Sequence, residues 1–140
     1  MSASRGFSLI ELIVMLVMAG ILAAVVIPRF NQPEVEASWF QEQVKAGLRY
    51  AQRQAVAQRR TVYVLVTANT LELCYSASSP CPLTDQVGDF ATSNQYKLTA
   101  PSGVTLSPLS FSFNPLGQPS AGAPFVVGAA TVEPETGYVH

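Results

Sequence analysis

The stretch that most constrains this chain is its first thirty residues. A run from Phe7 to Ile27, FSLIELIVMLVMAGILAAVVI, is apolar except for Ser8, Glu11 and Gly20. A short polar segment ending in Arg5-Gly6 precedes it, and Pro28-Arg29-Phe30 follows. As a helix, those 21 positions would reach about 31 Å, close to the hydrocarbon thickness of a bilayer. The run carries one charge, Glu11, near its start. Three readings compete. A cleaved secretory signal fits the basic front, but the run exceeds a usual h-region and no A-x-A site follows. A plain single-pass anchor explains the length but not Glu11, because a carboxylate near the centre of a bilayer costs about 2.5 kcal/mol or more. The third reading is an assembly signal in which Glu11 has a partner.

The residues favour the third reading. Gly6-Phe7-Ser8-Leu9-Ile10-Glu11 resembles the G-F-[ST]-L-x-E box of the type IV pilin and type II secretion pseudopilin superfamily. The resemblance implies that a prepilin peptidase cuts after Gly6, that Phe7 becomes the methylated N-terminus, and that the apolar segment stays on the mature chain. Gly20 and Pro28 fall where many members of that family have a helix-loosening Gly and Pro. On a continuous helix Phe7 and Glu11 are i and i+4, so they share a face. Glu11 would pair with the freed Phe7 amine of its own chain or with that of a neighbouring subunit, and either offsets the desolvation of the carboxylate. A neighbour's amine would also set axial register. The resemblance implies the intermolecular version.

Beyond Ile27 lie 113 residues, enough for one small domain. Pro28 predicts a kink, and helical spacing resumes at Pro33, with Asn31 near a cap position. From Glu34 to about Arg60, Val35, Trp39, Phe40, Val44, Leu48, Ala51, Ala55 and Val56 recur at a 3.6-residue period. This is an amphipathic helix, and core packing is the preferred reading of Trp39, ahead of an exposed interface anchor. Glu34, Glu36 and Glu42 come early and Arg49, Arg53, Arg59 and Arg60 late, which complements the helix dipole. Lys45, Arg49 and Arg53 line up as a basic stripe. A solvated face is its preferred reading, ahead of a neighbour's acidic first turn, and DNA comes last.

From Thr61 the period switches to two. Thr61–Thr67 and Thr70–Tyr75 read as a hairpin across Ala68-Asn69. Leu83 to Asn94 reads as a surface loop. Strand-like segments follow at 95–98, 104–106, 109–113, 124–127, 130–132 and 138–139, with Phe111 and Phe113 on one face. Turns are placed at 100–103, 114–117 and 134–137. The last joins Thr131-Val132-Glu133 to Tyr138-Val139-His140 as a closing hairpin. The expected fold class is α+β and pilin-like: a long N-terminal helix, half membrane-embedded and half amphipathic, packed on a C-terminal antiparallel β-sheet domain. The expected segments are a leader at 1–6, a hydrophobic transmembrane and assembly helix at 7–30, the amphipathic half at 31–60 and a periplasmic β-rich domain at 61–140.

Phe111-Ser112-Phe113-Asn114-Pro115-Leu116-Gly117-Gln118-Pro119 resembles the F-x-F-[ND]-x-x-G-x-P box of H-type, FimT-like minor pseudopilins and minor pilins. The ending Thr131 to His140, with Cys74-Tyr75 and Cys81, is similar to the minor pilins of the mannose-sensitive haemagglutinin (MSHA) pilus. In a periplasmic domain Cys74 and Cys81 would form a disulfide. The C-x-x-C spacing of redox and zinc sites is absent, and the single histidine, His140, leaves too few ligands for a metal. No catalytic constellation, phosphate loop or cofactor fingerprint is visible, so no enzyme activity and no cofactor are expected. Once Arg5 leaves with the leader, seven basic side chains face nine acidic ones, and Pro101 to His140 contains no Lys or Arg. Nucleic acid is therefore not an expected partner.

The functional expectation is a minor pilin of a type IV, MSHA-like pilus. The alternatives are an H-type pseudopilin of a type II secretion system and a DNA-uptake pilin. Implied partners are other pilin or pseudopilin subunits through the N-terminal helix, the prepilin peptidase, an inner-membrane assembly platform and the membrane. Implied localisation is single-pass in the bacterial inner membrane with a periplasmic domain, then the filament.

Overall fold

The computed structural model describes residues 7–26, 33–89, 94–120, 122 and 124–140. The chain divides into two compact units, Met1–Gln32 and Pro33–His140. In the first, Leu9–Val26 forms helix α1. The amides of Glu11 and Leu12 donate to the Ser8 carbonyl at 3.0 and 3.2 Å, so Phe7 and Ser8 lie ahead of the helix. The 18 residues of α1 reach about 27 Å, short of the hydrocarbon core of about 30 Å. Among the described residues no helix is long and apolar enough to cross a membrane.

That finding overturns three connected expectations. The long N-terminal helix with a membrane half is replaced by α1 and by a separate helix in the second unit. The transmembrane span across Phe7–Ile27 is not formed: its first two residues precede the helix, and Ile27 lies outside the described residues. The single-pass inner-membrane placement rested on that span and is withdrawn with it. What holds is the coarser class, α+β.

The second unit opens with α2, Pro33–Gln58. Proline at the first helical position forfeits only an amide that has no intrahelical partner. Glu34 and Glu36 in the first turn suit the positive end of the dipole. Phe40, Val44, Leu48, Ala51 and Ala55, at spacings of four, four, three and four, are all buried. They form the apolar stripe that the period demands. The helix ends in a Schellman motif: the Arg60 amide donates to the Ala55 carbonyl at 3.1 Å and the Arg59 amide to that of Val56 at 3.3 Å. Arg59 takes the left-handed position, at φ 50°.

The α2 stripe packs on a four-stranded antiparallel sheet. Its strands are β1 (Val62–Val66), β2 (Thr70–Cys74), β3 (Lys97–Thr99) and β4 (Leu109–Phe113), in the order β3-β2-β1-β4. The β1–β2 hairpin forms as expected across Ala68-Asn69, with Val66 opposite Leu71. The Thr67 amide donates to the Thr70 carbonyl at 2.8 Å, and the Thr67 hydroxyl accepts from the Thr70 amide at 3.0 Å. Alternation sends Val62, Val64, Leu71, Leu73, Phe111 and Phe113 into the core shared with α2. A second ribbon, β5 (Phe125–Val127) with β6 (Ala130–Val132), closes that core through Val127, Ala130 and Val132. Phe125 stacks on Phe111 with ring centroids 4.5 Å apart.

Three local expectations are corrected. Trp39 is not a core residue but is 68% exposed, because the buried stripe runs through its neighbour Phe40, about 100° away around the helix. The 83–94 segment is not simply a surface loop. Its described part carries a short 3₁₀ turn at Leu83–Asp85 and bridges Gln86 to Cys74 and Gly88 to Gln95, and Val87 is in the core. Residues 104–106 form no strand, although Leu106 is buried and its amide reaches the Ala68 carbonyl at 2.8 Å.

Candidate assembly surface

A helix that is apolar on one stripe buries that stripe and wets the remainder. A helix apolar all round has no side for water. Every side chain of the first unit from Phe7 to Leu22 is exposed, with Phe7 at 74% and Leu9 at 76%. Among the described residues of this unit nothing covers Ile10, Ile13, Leu16, Val17 or Ile21. An apolar surface of that extent is what an interaction site presents.

Glu11 lies at the N-terminal end of this surface. Ser8 stands at the cap position and Glu11 three residues on, the S-x-x-E spacing of a capping box. Its carboxylate also sits in the first turn, where the helix dipole favours an anion. Both local roles were available in the sequence and escape a reading that asks only what a membrane carboxylate needs. Helix geometry does not bring Phe7 to Glu11 as expected, since Phe7 precedes the helix. Gly20 lies inside α1, with open space where a Cβ would be. Gly6 and Pro28 lie outside the described residues.

Cys74 and Cys81 form the expected disulfide, with Cα atoms 5.8 Å apart. With Leu65 and Tyr63 they make a small apolar cluster on the face of the sheet turned away from α2. The return of the chain from this cluster is tied down. The Tyr75 amide donates to the Asp85 carbonyl at 2.7 Å, and the Arg60 guanidinium lies 4.1 Å above the Tyr75 ring.

The two C-terminal boxes meet on α2. The Asn114 carboxamide oxygen accepts from the amides of Leu116 and Gln118 at 2.9 and 3.0 Å, the reason an Asn suits that turn. Gly117 follows at φ 82° and Gly137, in the closing hairpin, at φ 70°. A Cβ on Gly137 would run into the Gly117 carbonyl, so the two turns lie backbone to backbone. The Gln52 carboxamide bridges them, donating to the carbonyls of Gly117 and Thr136, each at 3.0 Å. The closing hairpin forms as expected: Thr131 and His140 exchange backbone hydrogen bonds of 2.8 and 3.0 Å, and Val132 bridges Val139. Gln41 accepts from the Ala129 amide at 2.8 Å. Gln41 and Gln52 carry no pattern in the sequence that marks them as braces.

The basic stripe does not act as one face. Lys45 pairs with Glu42 at 3.2 Å. Arg49 donates through Nε and Nη2 to the Val139 carbonyl at 3.3 and 3.1 Å. Arg53 alone of the three has no ion-pair or hydrogen-bond partner among the described residues. Comparison with protein-family models, with curated proteins and with solved structures finds no match for this chain.

Proposed function

We propose that the chain is a minor subunit of a type IV, MSHA-like pilus, and that it enters the filament by burying α1 against the helices of other pilin subunits. The observation that carries this reading is the exposure, on all sides, of α1 from Leu9 to Leu22. The G-F-S-L-I-E start and the two C-terminal boxes supply the pilin part. In this account prepilin peptidase cuts between Gly6 and Phe7, and Glu11 accepts the new amine of a neighbouring subunit. The placement of Phe7 ahead of the helix favours a partner outside the chain's own α1. Burying the carboxylate and ammonium together offsets the desolvation of both and fixes register along the bundle.

Two variants separate this role from capping. Glu11→Gln keeps an acceptor at the third helical position and removes the charge; Glu11→Ala removes both. The expected outcome is that both variants are processed to Phe7, read by mass spectrometry of the mature N-terminus, and that neither is recovered in sheared filaments. Normal recovery of the Gln variant alone would assign Glu11 to the cap. An uncut N-terminus in the parent chain would reject the pilin reading.

A further inference from the structure

Tyr138 and α2 enclose a groove in the second unit, lined by Arg49, Gln52, Arg53, Tyr138 and Val139. Its chemistry is basic and aromatic. The Val139 carbonyl holds the Arg49 guanidinium in place through two of its five N–H donors, and among the described residues the others have no partner. Arg53, one turn on, is exposed, and Tyr138 is 60% exposed beside it. The opposite chemistry stands at the other end of the same helix. Glu34 and Glu36 are exposed and have no ion-pair partner among the described residues. Trp39 projects beside Glu36 at the rim of a second shallow groove, with Gln43, Thr99 and Pro101. Trp, Tyr and Arg are the residue types that dominate interface energetics, and here all three are presented to solvent.

We propose that the Arg49–Arg53–Tyr138 groove receives the acidic, tryptophan-bearing first turns of α2 from a second copy of this chain. Glu36 meets Arg53, and the Trp39 indole covers the guanidinium or the Tyr138 ring. The two patches lie about 26 Å apart along the helix, from Glu36 to Arg53 at about 1.5 Å per residue. One copy can therefore present both at once, and each copy contacts the next through unlike surfaces. The contact deepens the filament reading by naming where the folded units touch, but its charge pairing stands without α1.

The test uses the full chain in non-ionic detergent, which covers α1, with self-association followed by sedimentation velocity at low and high ionic strength. The parent chain is expected to associate and to lose association as salt rises. Arg53→Glu and Glu36→Arg, both at exposed positions, should each weaken association at least about tenfold, while an equimolar mixture of the two variants restores it. Trp39→Ala should weaken it without changing the salt dependence. Unchanged association in either charge reversal, or no recovery in the mixture, overturns the contact. A parent chain that stays monomeric yet binds a DNA duplex through Arg53 also overturns it. Without detergent, Leu16→Asp tests α1 separately. Loss of association there with the charge reversals silent keeps the pilus reading and rejects this contact; the reverse result does the opposite.

Discussion

Helices α1 and α2 are built from the same backbone ladder and differ in one respect, the distribution of apolar side chains around the axis. On α2 the apolar residues keep to a stripe, and the stripe has a sheet to lie on. On α1 they go all round, and its side chains from Leu9 to Leu22 stand exposed. A stripe can be satisfied within one chain, because the opposite face remains for water. A fully apolar cylinder cannot, and needs neighbours on every side. Stability of the folded unit is therefore expected to reside in the buried stripe of α2, and α1 is expected to contribute little to it.

The largest expected effect tests that division directly. Leu48→Ala, in the fully buried stripe, should lower the unfolding free energy by about 3–4 kcal/mol, read as a urea midpoint by near-ultraviolet circular dichroism. Leu16→Ala on α1 should shift the same midpoint by no more than about 0.5 kcal/mol. Equal effects would dissolve the distinction. Replacing both Cys74 and Cys81 by Ser should cost about 2–3 kcal/mol, since the bond closes a short loop in the unfolded chain. That loss should appear in the β-sheet unit and leave α1 association untouched.

Smaller effects sharpen the picture of α2. Arg59 occupies a left-handed position that glycine accepts without strain, so Arg59→Gly should raise stability by about 0.5–1 kcal/mol. The smallest concerns the ring pair that fastens α2 to the segment around Gly88. Tyr50 and Tyr96 stack at 5.3 Å, the Tyr50 hydroxyl donates to the Gly88 carbonyl at 2.7 Å, and Gly47 leaves room for the Tyr96 hydroxyl. Burial, chiefly, pushes both phenols above 10.0. A raised folded value means the native state holds the proton more tightly. The contribution is complete below the unfolded phenol range and is lost as pH rises through the raised values. A urea titration across that alkaline range should show stability falling, and Tyr96→Phe should flatten the slope.

Much of the second unit was legible. The period of α2, the switch to alternation at Thr61, the Ala68-Asn69 turn and the closing hairpin follow from local rules of spacing and turn chemistry, whereas the Cys74–Cys81 bond was expected only on the condition of a periplasmic domain. The exposure of Trp39 and the burial of Val87 within the 83–94 segment differ from the local reading for a shared reason: which face of an element is covered depends on where its partner stops, and spacing does not carry that information. Glu11 is the instructive case in the candidate surface. Its S-x-x-E spacing from Ser8 is local and readable, whereas the partner proposed for it lies on another chain, which no local pattern in this sequence displays.

The sequence by itself set an apolar run from Phe7 to Ile27, broken only by Ser8, Glu11 and Gly20, and a one-sided apolar stripe after Glu34, because apolar transfer depends on residue type and helical sidedness on period. Tertiary structure decided which glutamines brace the C-terminal turns, which arginine gives up donors to the Val139 carbonyl, and which stays exposed without an ion pair among the described residues. Those outcomes turn on hydrogen bonds of about 3 Å between segments some 65 to 90 residues apart, a distance relation that no local pattern encodes.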